Sequence, residues 1–392
     1  MGFSLADNRQ EMNNSATEIF DLAIAGGGLA GLTLAIQVKR MGHSVVLFEK
    51  EKYPFHRVCG EYISLESGPF LAEMGIDIEA LHLPVIKKLM VSSPRGDLLT
   101  HDLPQGGFGI SRYSLDEKLA HIAIGEGVII KEHDKVNEII YADGYFEIYA
   151  ASGVYRSRAA AGCFGKRSNL DLKWLRPFTR QKPSKLNNYI GVKYHIRSDF
   201  PDDAIALHNF QEGYCGISRI EDNRYCLCYL TTAANLKKYH HSIKEMEKGL
   251  LGKNPFLEKI FRESTFLFDE PVVISQVSFE KKSLFENHVL MVGDAAGMIT
   301  PLCGNGMSMA MHAGKIAAGL LHNFLDGKIS RPDMEHKYQE EWNRLFSSRL
   351  KTGRIIQSLF GKTTTTNLFL KTMKLFPGLI SWLVKQTHGK PF

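Results

Sequence analysis

Two apolar segments, far apart in the chain, each end in a glycine-rich turn and lead into a helix-forming stretch. The first is AIAGGGLAG at Ala23 to Gly31, and the second is VLMVGDAAG at Val289 to Gly297. The run Ile19 to Ala25 is apolar enough for a buried parallel strand, and Leu29 to Met41 has its apolar residues at helical intervals. The pattern predicts a strand, a tight turn and a helix in succession, with a second strand and turn near Val289.

The glycines of the first turn have a spacing with a physical purpose. Gly26, Gly28 and Gly31 follow G-x-G-x-x-G, and Glu49 closes the next apolar run, Val45 to Phe48, about 20 residues on. The first glycine permits a sharp turn, the second lets backbone approach a pyrophosphate, and the third lets helix pack on strand. Amides at the helix start would face the phosphates, and Glu49 would bind an adenosine ribose without a 2′-phosphate. The segment predicts a bound dinucleotide.

Between the two segments the pattern changes to short alternating runs separated by turn residues. Hairpins are expected at Asp143 and around Glu221 to Asn223. The sequence QGGFGIS at Gln105 neither follows a clear strand nor opens a helix, which indicates a loop or a sheet edge. The predicted strands are Val128 to Ile130, Val136 to Tyr141, Tyr145 to Tyr149 and several within Lys185 to Thr232, and the predicted helices are Ser114 to Ala123, Ser242 to Leu251 and Asn254 to Phe261.

Length and composition exclude several classes of protein. The 392 residues predict two domains, and 44% hydrophobic with 23% charged residues is typical of soluble globular chains. Met1 to Glu18 lacks the apolar centre of a signal peptide, and no uncharged apolar run reaches the roughly 18 residues of a membrane span. Six scattered cysteines and no metal-binding histidine spacing predict a reducing, cytoplasmic setting without a metal. A net charge of +6 without a basic tract argues against a nucleic-acid partner.

Four motifs, in this order, resemble one family. They are the Gly26 fingerprint, RVCGEYIS at Arg57, ISRYSLDEKL at Ile110 and GDAAGMITPLCGNGMSMAM at Gly293. Together they look like the flavoprotein superfamily of geranylgeranyl reductases, aromatic-ring hydroxylases (group A flavin monooxygenases) and flavin halogenases. The resemblance covers about residues 18 to 330, is closest to the geranylgeranyl reductase-like branch, and implies FAD as cofactor.

The resemblance also implies roles for single residues. Asp294 would bind ribityl or ribose hydroxyls, while Arg57 and Arg112 would lie against the phosphates and ribityl chain. A helix starting at Asn305 would direct its first amides at the pyrimidine end of the flavin. The implied FAD contacts are Gly26, Gly28, Leu29, Ala30, Gly31, Glu49, Lys50, Arg57, Cys59, Gly60, Arg112, Gly293, Asp294, Pro301, Gly304, Asn305, Gly306 and Met307.

The expected architecture is an α/β fold, α+β overall. A Rossmann-like FAD-binding domain, made of residues 17–84, 105–168 and 280–330, is interleaved with a mainly antiparallel sheet domain for substrate, made of residues 85–104 and 169–279. Residues 331–392 are expected to form a C-terminal helical cap.

The favoured reaction is hydride transfer from reduced flavin to a double bond of a hydrophobic small molecule, such as an isoprenoid or polyketide. The hydroxylase branch fits less well, because Phe164 stands where that branch has an acid and Gly297 where it has a histidine. Two alternatives stay open: an NAD(P)H-dependent monooxygenase that hydroxylates or epoxidises through a C4a-hydroperoxide, and a flavin-binding protein without turnover. Tyr214 and Glu61 are the first proton donors to test.

The source of electrons has two alternatives. With no second fingerprint that opens a helix, the electrons must come from NAD(P)H docking transiently or from a separate reductase protein.

The segment Asp333 to Phe392 lies outside the motifs. Leu368 to Val384 is rich in apolar residues with interspersed lysines, which suits either an interfacial helix at a membrane or a packed cap over the substrate pocket. Pro377 and Gly378 break the segment, which favours the cap.

Overall fold

The structure is a computed structural model that describes residues 19–182, 184, 187–360 and 363–392. Two predictions involve residues outside the described ones. They are the absence of a signal peptide in Met1 to Glu18 and the predicted strand region that begins at Lys185. The strands are β1 Ile19–Ala25, β2 Val45–Phe48, β3 Tyr62–Ser64, β4 Val85–Ser92, β5 Leu98–Gly109, β6 Ile129–Lys131, β7 Val136–Ala142, β8 Tyr145–Ala150, β9 Gly153–Gly162, β10 Tyr189–Arg197, β11 Ala204–Phe210, β12 Gly213–Ile220, β13 Arg224–Thr232, β14 Thr265–Phe266, β15 Val272–Val277, β16 Phe285–Glu286 and β17 Val289–Met291. The helices are α1 Leu29–Arg40, α2 Gly68–Met74, α3 Arg112–Gly125, α4 Asn169–Lys173, α5 Ala233–Lys238, α6 Ile243–Gly249, α7 Pro255–Glu263, α8 Gly306–Leu325, α9 Arg331–Leu359, α10 Thr363–Leu375 and α11 Pro377–Thr387.

The first sheet carries the glycine turn. Its five neighbouring strands β17, β9, β1, β2 and β6 are parallel, while β16 and the hairpin of β7 and β8 add antiparallel strands. The four residues of β2 are all buried, as expected for a parallel strand covered on both faces. Helices α1, α3, α8 and α9 contribute to the same core. The carboxyl ends of the parallel strands therefore form one edge that is free to hold a ligand.

The second sheet has nine strands and is mainly antiparallel. Its order is β14-β10-β13-β12-β11-β4-β5-β3, with β15 pairing to β10, and only the β11–β4 pair is parallel. Because side chains alternate along a strand, its two faces differ. One face packs against α6 and α7 through residues such as Met246 and Leu257. The other face carries Gly191, Gly216 and Cys228 and borders the cavity described below.

Helices α8 to α11 follow the last strand of the first sheet. The 29-residue α9 begins with a capping box between Ser330 and Asp333 and packs on α8 through Tyr338 and Phe346, both buried. Helices α10 and α11 then cover the second sheet, where Leu370, Met373 and Ile380 pack against Val91 and Leu99. Within the described part of the chain, no helix has the combined length and apolarity needed to cross a bilayer.

Most of the predicted elements agree with the structure, and the α/β class is confirmed. The strand, turn and helix from Ile19 to Arg40 lie where the pattern predicts, and so does the hairpin around Glu221 to Asn223. The prediction of a loop or sheet edge at Gln105 was wrong. These residues belong to β5, which pairs with the preceding strand β4 on one side and with β3, more than 40 residues earlier in the chain, on the other. The predicted domain boundary after residue 104 falls inside this strand.

Candidate active site

A cavity of about 1010 Å³ lies between the carboxyl edge of the parallel strands and the second sheet. Ala25 and Phe48, at the ends of β1 and β2, line one wall, and Gly191 and Gly216 line the opposite wall. The cavity is therefore the place where the two sheets meet, which is a common position for cofactor sites.

The glycine turn forms the floor of the cavity. Gly26 has a φ of 109°, and a side chain there would lie 2.6 Å from the backbone of Cys163. A side chain on Gly31 would overlap the carbonyl oxygen of Gly26, so Gly31 serves close packing of helix on strand. A methyl group added to Gly28 would meet first the Arg112 guanidinium, at 3.5 Å. Gly28 is the N-cap of α1 and no side chain caps this helix, so its first amides face the cavity.

Two arginines stand beside this turn and share one acid. Arg112 donates to both oxygens of Asp116 at 2.7 Å, and Arg57 Nε donates to the same carboxylate at 3.1 Å. Arg57 also donates to Glu49 Oε2 at 2.9 Å, the oxygen that accepts the amide of Gly27 at the same distance. The network holds both guanidinium groups and the ribose-binding acid predicted from sequence in one place.

Asp294 faces the cavity from the second glycine-rich turn, after β17. Burial raises the pKa of its carboxyl group, while the charges of Lys282, Arg112 and Lys166 act in the opposite direction. Lys282 is almost fully buried and donates to the backbone oxygens of Lys166 and Asp294 at 2.8 and 2.7 Å. Burial lowers the pKa of Lys282 to about 8. The surroundings of Asp294 are thus cationic and suit a ligand with acidic or hydroxyl groups.

The start of α8 forms the far end of the cavity. Asn305 is the N-cap, but its side chain makes no capping bond, and instead its amide donates to the Thr387 carbonyl oxygen at 2.8 Å. Asn305 Oδ1 is buried without a hydrogen-bond partner among the described residues. Gly306 and Met307 line the cavity at the first turn of this 20-residue helix. An uncapped helix start of this length favours negative charge or carbonyl oxygen in front of it.

Glu61 is fully buried in an ion-paired cluster with partners on β10. Its carboxylate contacts Lys193 Nζ and His195 Nε2, the latter at 2.6 Å, and accepts the amide of Arg112 at 2.7 Å. Burial alone would raise the pKa of Glu61, but the charge of Lys193 and the hydrogen bond of His195 outweigh it and lower the pKa to about 2. A carboxylate held ionised in this way is a poor proton donor at neutral pH. Its position fits a structural anchor beside the cavity.

Tyr214 lines the cavity from β12 with 3% of its surface exposed. Its hydroxyl makes no hydrogen bond to the described residues, although the Leu302 backbone is close enough to influence it. Burial raises the pKa of Tyr214 well above its usual range. The hydroxyl therefore stays protonated at neutral pH and is available to a ligand.

A smaller apolar pocket of about 110 Å³ adjoins the cavity. Leu89 and Leu99 line it from the second sheet, and Met373 and Leu383 line it from α10 and α11. The pocket and the large cavity share residues in their walls, so the two lie next to each other. The shared residues are Tyr62, Ile205, Leu207, Pro301 and Gly304.

The structure brings nearly all the predicted site residues to one cavity. Gly31 and Gly293 do not line it: Gly31 packs on Gly26, and a side chain on Gly293 would meet Ala30 at 2.9 Å. The residues that line the cavity are Gly26, Gly28, Leu29, Ala30, Glu49, Lys50, Arg57, Cys59, Gly60, Glu61, Arg112, Tyr214, Asp294, Pro301, Gly304, Asn305, Gly306 and Met307. Burial raises the pKa of the Cys59 thiol, so it is not a ready nucleophile.

Sequence reasoning missed several residues of the site. Asp116 stands one helical turn after Arg112, a spacing that indicates an ion pair and was available in the sequence. Lys193 and His195 lie two residues apart on β10, and both contact Glu61, which is more than 130 residues earlier in the chain. No local sequence pattern reveals these contacts. Lys282 likewise reaches Asp294 from a loop outside any motif.

The sequence relatives are consistent with this site. Residues 24–61 match the family model of the NAD(P)-binding Rossmann-like domain. Conditioned medium factor receptor 1 of Dictyostelium discoideum is 26% identical over 401 residues, covering 90% of this chain and 71% of that protein. The digeranylgeranylglycerophospholipid reductase of Methanococcus vannielii is 22% identical over 369 residues, covering 87% of this chain and 88% of that protein.

Solved structures share the fold over almost the whole chain. The flavin-dependent brominase Bmp2 superposes with a TM-score of 0.78 at 18% identity, covering 94% of this chain and 93% of that one. A geranylgeranyl bacteriochlorophyll reductase-like protein from Thermoplasma acidophilum gives a TM-score of 0.71 at 17% identity, covering 96% and 94%. Together with the dinucleotide turn, the sequence relatives and the shared fold identify the protein as an FAD-dependent oxidoreductase. The relatives and solved structures to which the chain is similar include flavin halogenases, geranylgeranyl reductase-like proteins and flavin monooxygenases, in agreement with the resemblance in its motifs.

Proposed function

We propose that the protein reduces a carbon–carbon double bond in a hydrophobic small molecule, such as an isoprenoid or a polyketide chain. The observation that carries the proposal is the shared wall between the large cavity and the apolar pocket, at Pro301 and Gly304. A ligand in the pocket would lie next to the start of α8, where the resemblance implies the flavin ring. The apolar lining excludes water and favours a hydrocarbon chain.

The residues present fit FAD along the length of the cavity. Glu49 would hold the adenosine ribose, and the α1 amides at Gly28 with Arg57 and Arg112 would hold the pyrophosphate. Asp294 would accept hydrogen bonds from ribityl or ribose hydroxyls. The unpartnered Asn305 Oδ1 and the uncapped α8 amides would face the polar edge of the ring.

Bound FAD supplies hydride transfer, and the protein supplies position and a proton. Tyr214 would supply the proton from its hydroxyl, which lines the cavity and has no hydrogen-bond partner among the described residues. Addition of hydride to a double bond leaves a carbon that needs this proton. The α8 amides favour negative charge at the other end of the site. The electron source is NAD(P)H docking transiently or a reductase protein, and stopped-flow mixing with NADH and NADPH distinguishes them.

The test is an anaerobic single turnover. Protein reduced with dithionite is mixed with a polyunsaturated isoprenoid alcohol, and reoxidation of the flavin is followed by absorbance while the product is identified by mass. Tyr214→Phe should slow reoxidation by about a hundredfold or more, since general acids contribute on this scale. Tyr194→Phe is the matched control, because that buried hydroxyl bonds Glu247 on the opposite face of the same sheet.

Flavin content should be the same in both variants. If the substrate causes no reoxidation without oxygen, and a hydroxylated or epoxidised product forms only in air, the proposal is overturned in favour of a monooxygenase.

A further inference from the structure

Helices α10 and α11 have two apolar faces, and only one of them is buried. On the inner face, Leu370 and Met373 are 1% and 3% exposed and pack against the second sheet. On the outer face, Leu368, Leu375 and Phe376 are 67%, 75% and 63% exposed. We name as the outer surface the residues Leu368, Leu375, Phe376, Leu379 and Trp382 with the exposed lysines Lys371, Lys374 and Lys385. Large exposed side chains gathered in this way mark an interaction site.

Hydrogen bonds from α11 to the rest of the protein fix the position of the outer surface. Thr387, at the end of α11, accepts the Asn305 amide at 2.8 Å, and Ser381 lies 3.2 Å from His101 Nε2 on β5. The inner face needs its apolar residues for the pocket, but the outer residues contribute to no core cluster of the described chain. The fold therefore does not explain why Leu375, Phe376 and Trp382 are apolar.

The C-terminal segment that carries this surface has charges of one sign only. Residues 342–392 contain nine Lys and Arg and no Asp or Glu, so this segment carries +9 in a chain whose net charge is +6. The rest of the chain is therefore net negative. Lysines beside exposed Leu, Phe and Trp are the combination that binds anionic lipid, since the lysines attract headgroups and the apolar side chains enter the interface.

The length of the helices decides how they would meet a bilayer. Helix α10 has 13 residues and α11 has 11, which is about 20 Å or less at roughly 1.5 Å per residue. The hydrocarbon core is about 30 Å thick. Such helices lie along the surface rather than across it.

We propose that the outer surface docks onto a bilayer containing anionic lipid, so that a lipid substrate reaches the apolar pocket directly from the membrane. The inner and outer faces of the same two helices then have complementary roles, with one lining the pocket and the other contacting its source of ligand. Delivery of substrate rests on the proposed function, whereas docking does not.

The test is co-sedimentation of the FAD-loaded full chain with vesicles. Phosphatidylcholine vesicles containing phosphatidylglycerol should bind the protein, pure phosphatidylcholine should bind it at least about tenfold less, and added salt should weaken binding. Replacing Leu375, Phe376 and Trp382 together by Ser should lower binding by about tenfold or more. Replacing Lys371, Lys374 and Lys385 by Glu should lower binding to the anionic vesicles by about a hundredfold.

The matched control replaces Ile124, Ile129 and Leu175 by Ser. These side chains are 55%, 41% and 57% exposed and lie outside the outer surface and both cavities, so the control should bind like the native protein. Docking is overturned if the native protein ignores anionic vesicles, or if the Leu375, Phe376 and Trp382 variant binds them unchanged. If the native protein binds no vesicles but is a dimer, and the variant is a monomer, the outer surface is instead the contact with a second copy of the chain.

Flavin content and anaerobic reoxidation by a detergent-dispersed isoprenoid separate the two proposals. If the protein binds vesicles but its reduced flavin is never reoxidised by the isoprenoid, the proposed function is overturned and the docking proposal is unaffected.

Discussion

Asp116 accepts hydrogen bonds from Nε and Nη2 of Arg112, at 2.7 Å each, from one helical turn further along α3. The carboxylate is fully buried and also accepts Arg57 Nε at 3.1 Å. One acid therefore balances the two guanidinium groups that stand over the glycine turn. In water-poor surroundings, removing one partner of such a pair costs far more than the pair itself contributes.

Asp116→Asn should lower the free energy of unfolding by about 3 kcal/mol, because the largely buried Arg112 loses its anion and Arg57 keeps only Glu49. Urea denaturation of the FAD-free protein measures the change. Glu258→Gln is the matched control, since Glu258 pairs with Arg262 at the same i, i+4 spacing on an exposed helix face. The control should be nearly unchanged, as expected for a surface pair. Equal effects in the two variants would contradict the account of this network.

The turn at Gly26 provides a second prediction. Gly31→Ala should lower the free energy of unfolding by about 1 to 3 kcal/mol and reduce FAD content, because the added methyl group overlaps the carbonyl oxygen of Gly26. Thermal denaturation and the flavin absorbance per protein measure both effects. Gly319→Ala on α8 is the control, since nothing lies within 4 Å of the added methyl there. That change should leave stability equal or raise it by up to about 1 kcal/mol.

The turn and its flanking elements were predictable because the forces that shape them are local. Glycine freedom at Gly26, apolar spacing in α1 and the acid at Glu49 all lie within about 30 residues of one another. The second turn at Gly293 repeats the signal. Most of the residues named from the sequence therefore line the cavity.

The errors concern contacts between distant segments. The residues after Gln105 form a strand because they pair with β4 on one side and with β3 on the other, and the pairing with β3 joins segments more than 40 residues apart that no local pattern connects. The contacts of Glu61 with Lys193 and His195, which lower the pKa of its carboxyl group, also join distant segments and could not be predicted from a local pattern. Propensity cannot supply this information, because these interactions exist only in the folded chain.

The depressed pKa of Glu61 predicts how stability depends on pH. The pKa falls from an ordinary value of 4.5 to about 2 on folding, so the folded state binds fewer protons between these values. The stabilisation is complete above pH 4.5 and is lost as pH falls toward 2. Glu61→Gln should be less stable at pH 7 and should lose less stability than the native protein between pH 5 and pH 3. Urea midpoints across this range measure the slope, and parallel slopes for the two proteins would exclude Glu61 as the titrating group.

The last prediction concerns Gly216, which lies on the cavity face of β12. A methyl group there would meet only ordinary contacts, the nearest being the Cys228 carbonyl oxygen at 3.6 Å, and anything longer would project into the cavity. Gly216→Ala should therefore be close to native, whereas Gly216→Phe should lower kcat/KM for a long isoprenoid by about tenfold or more, since a ring would occupy the space beside Leu207 that both cavities share. Turnover with short and long isoprenoid alcohols measures the change, which should be larger for the long one. Flavin content should stay the same, because the residues proposed to hold FAD lie on the opposite wall and at the start of α8. A loss of FAD in proportion to the loss of activity would show that this wall contacts the cofactor and that the substrate lies elsewhere.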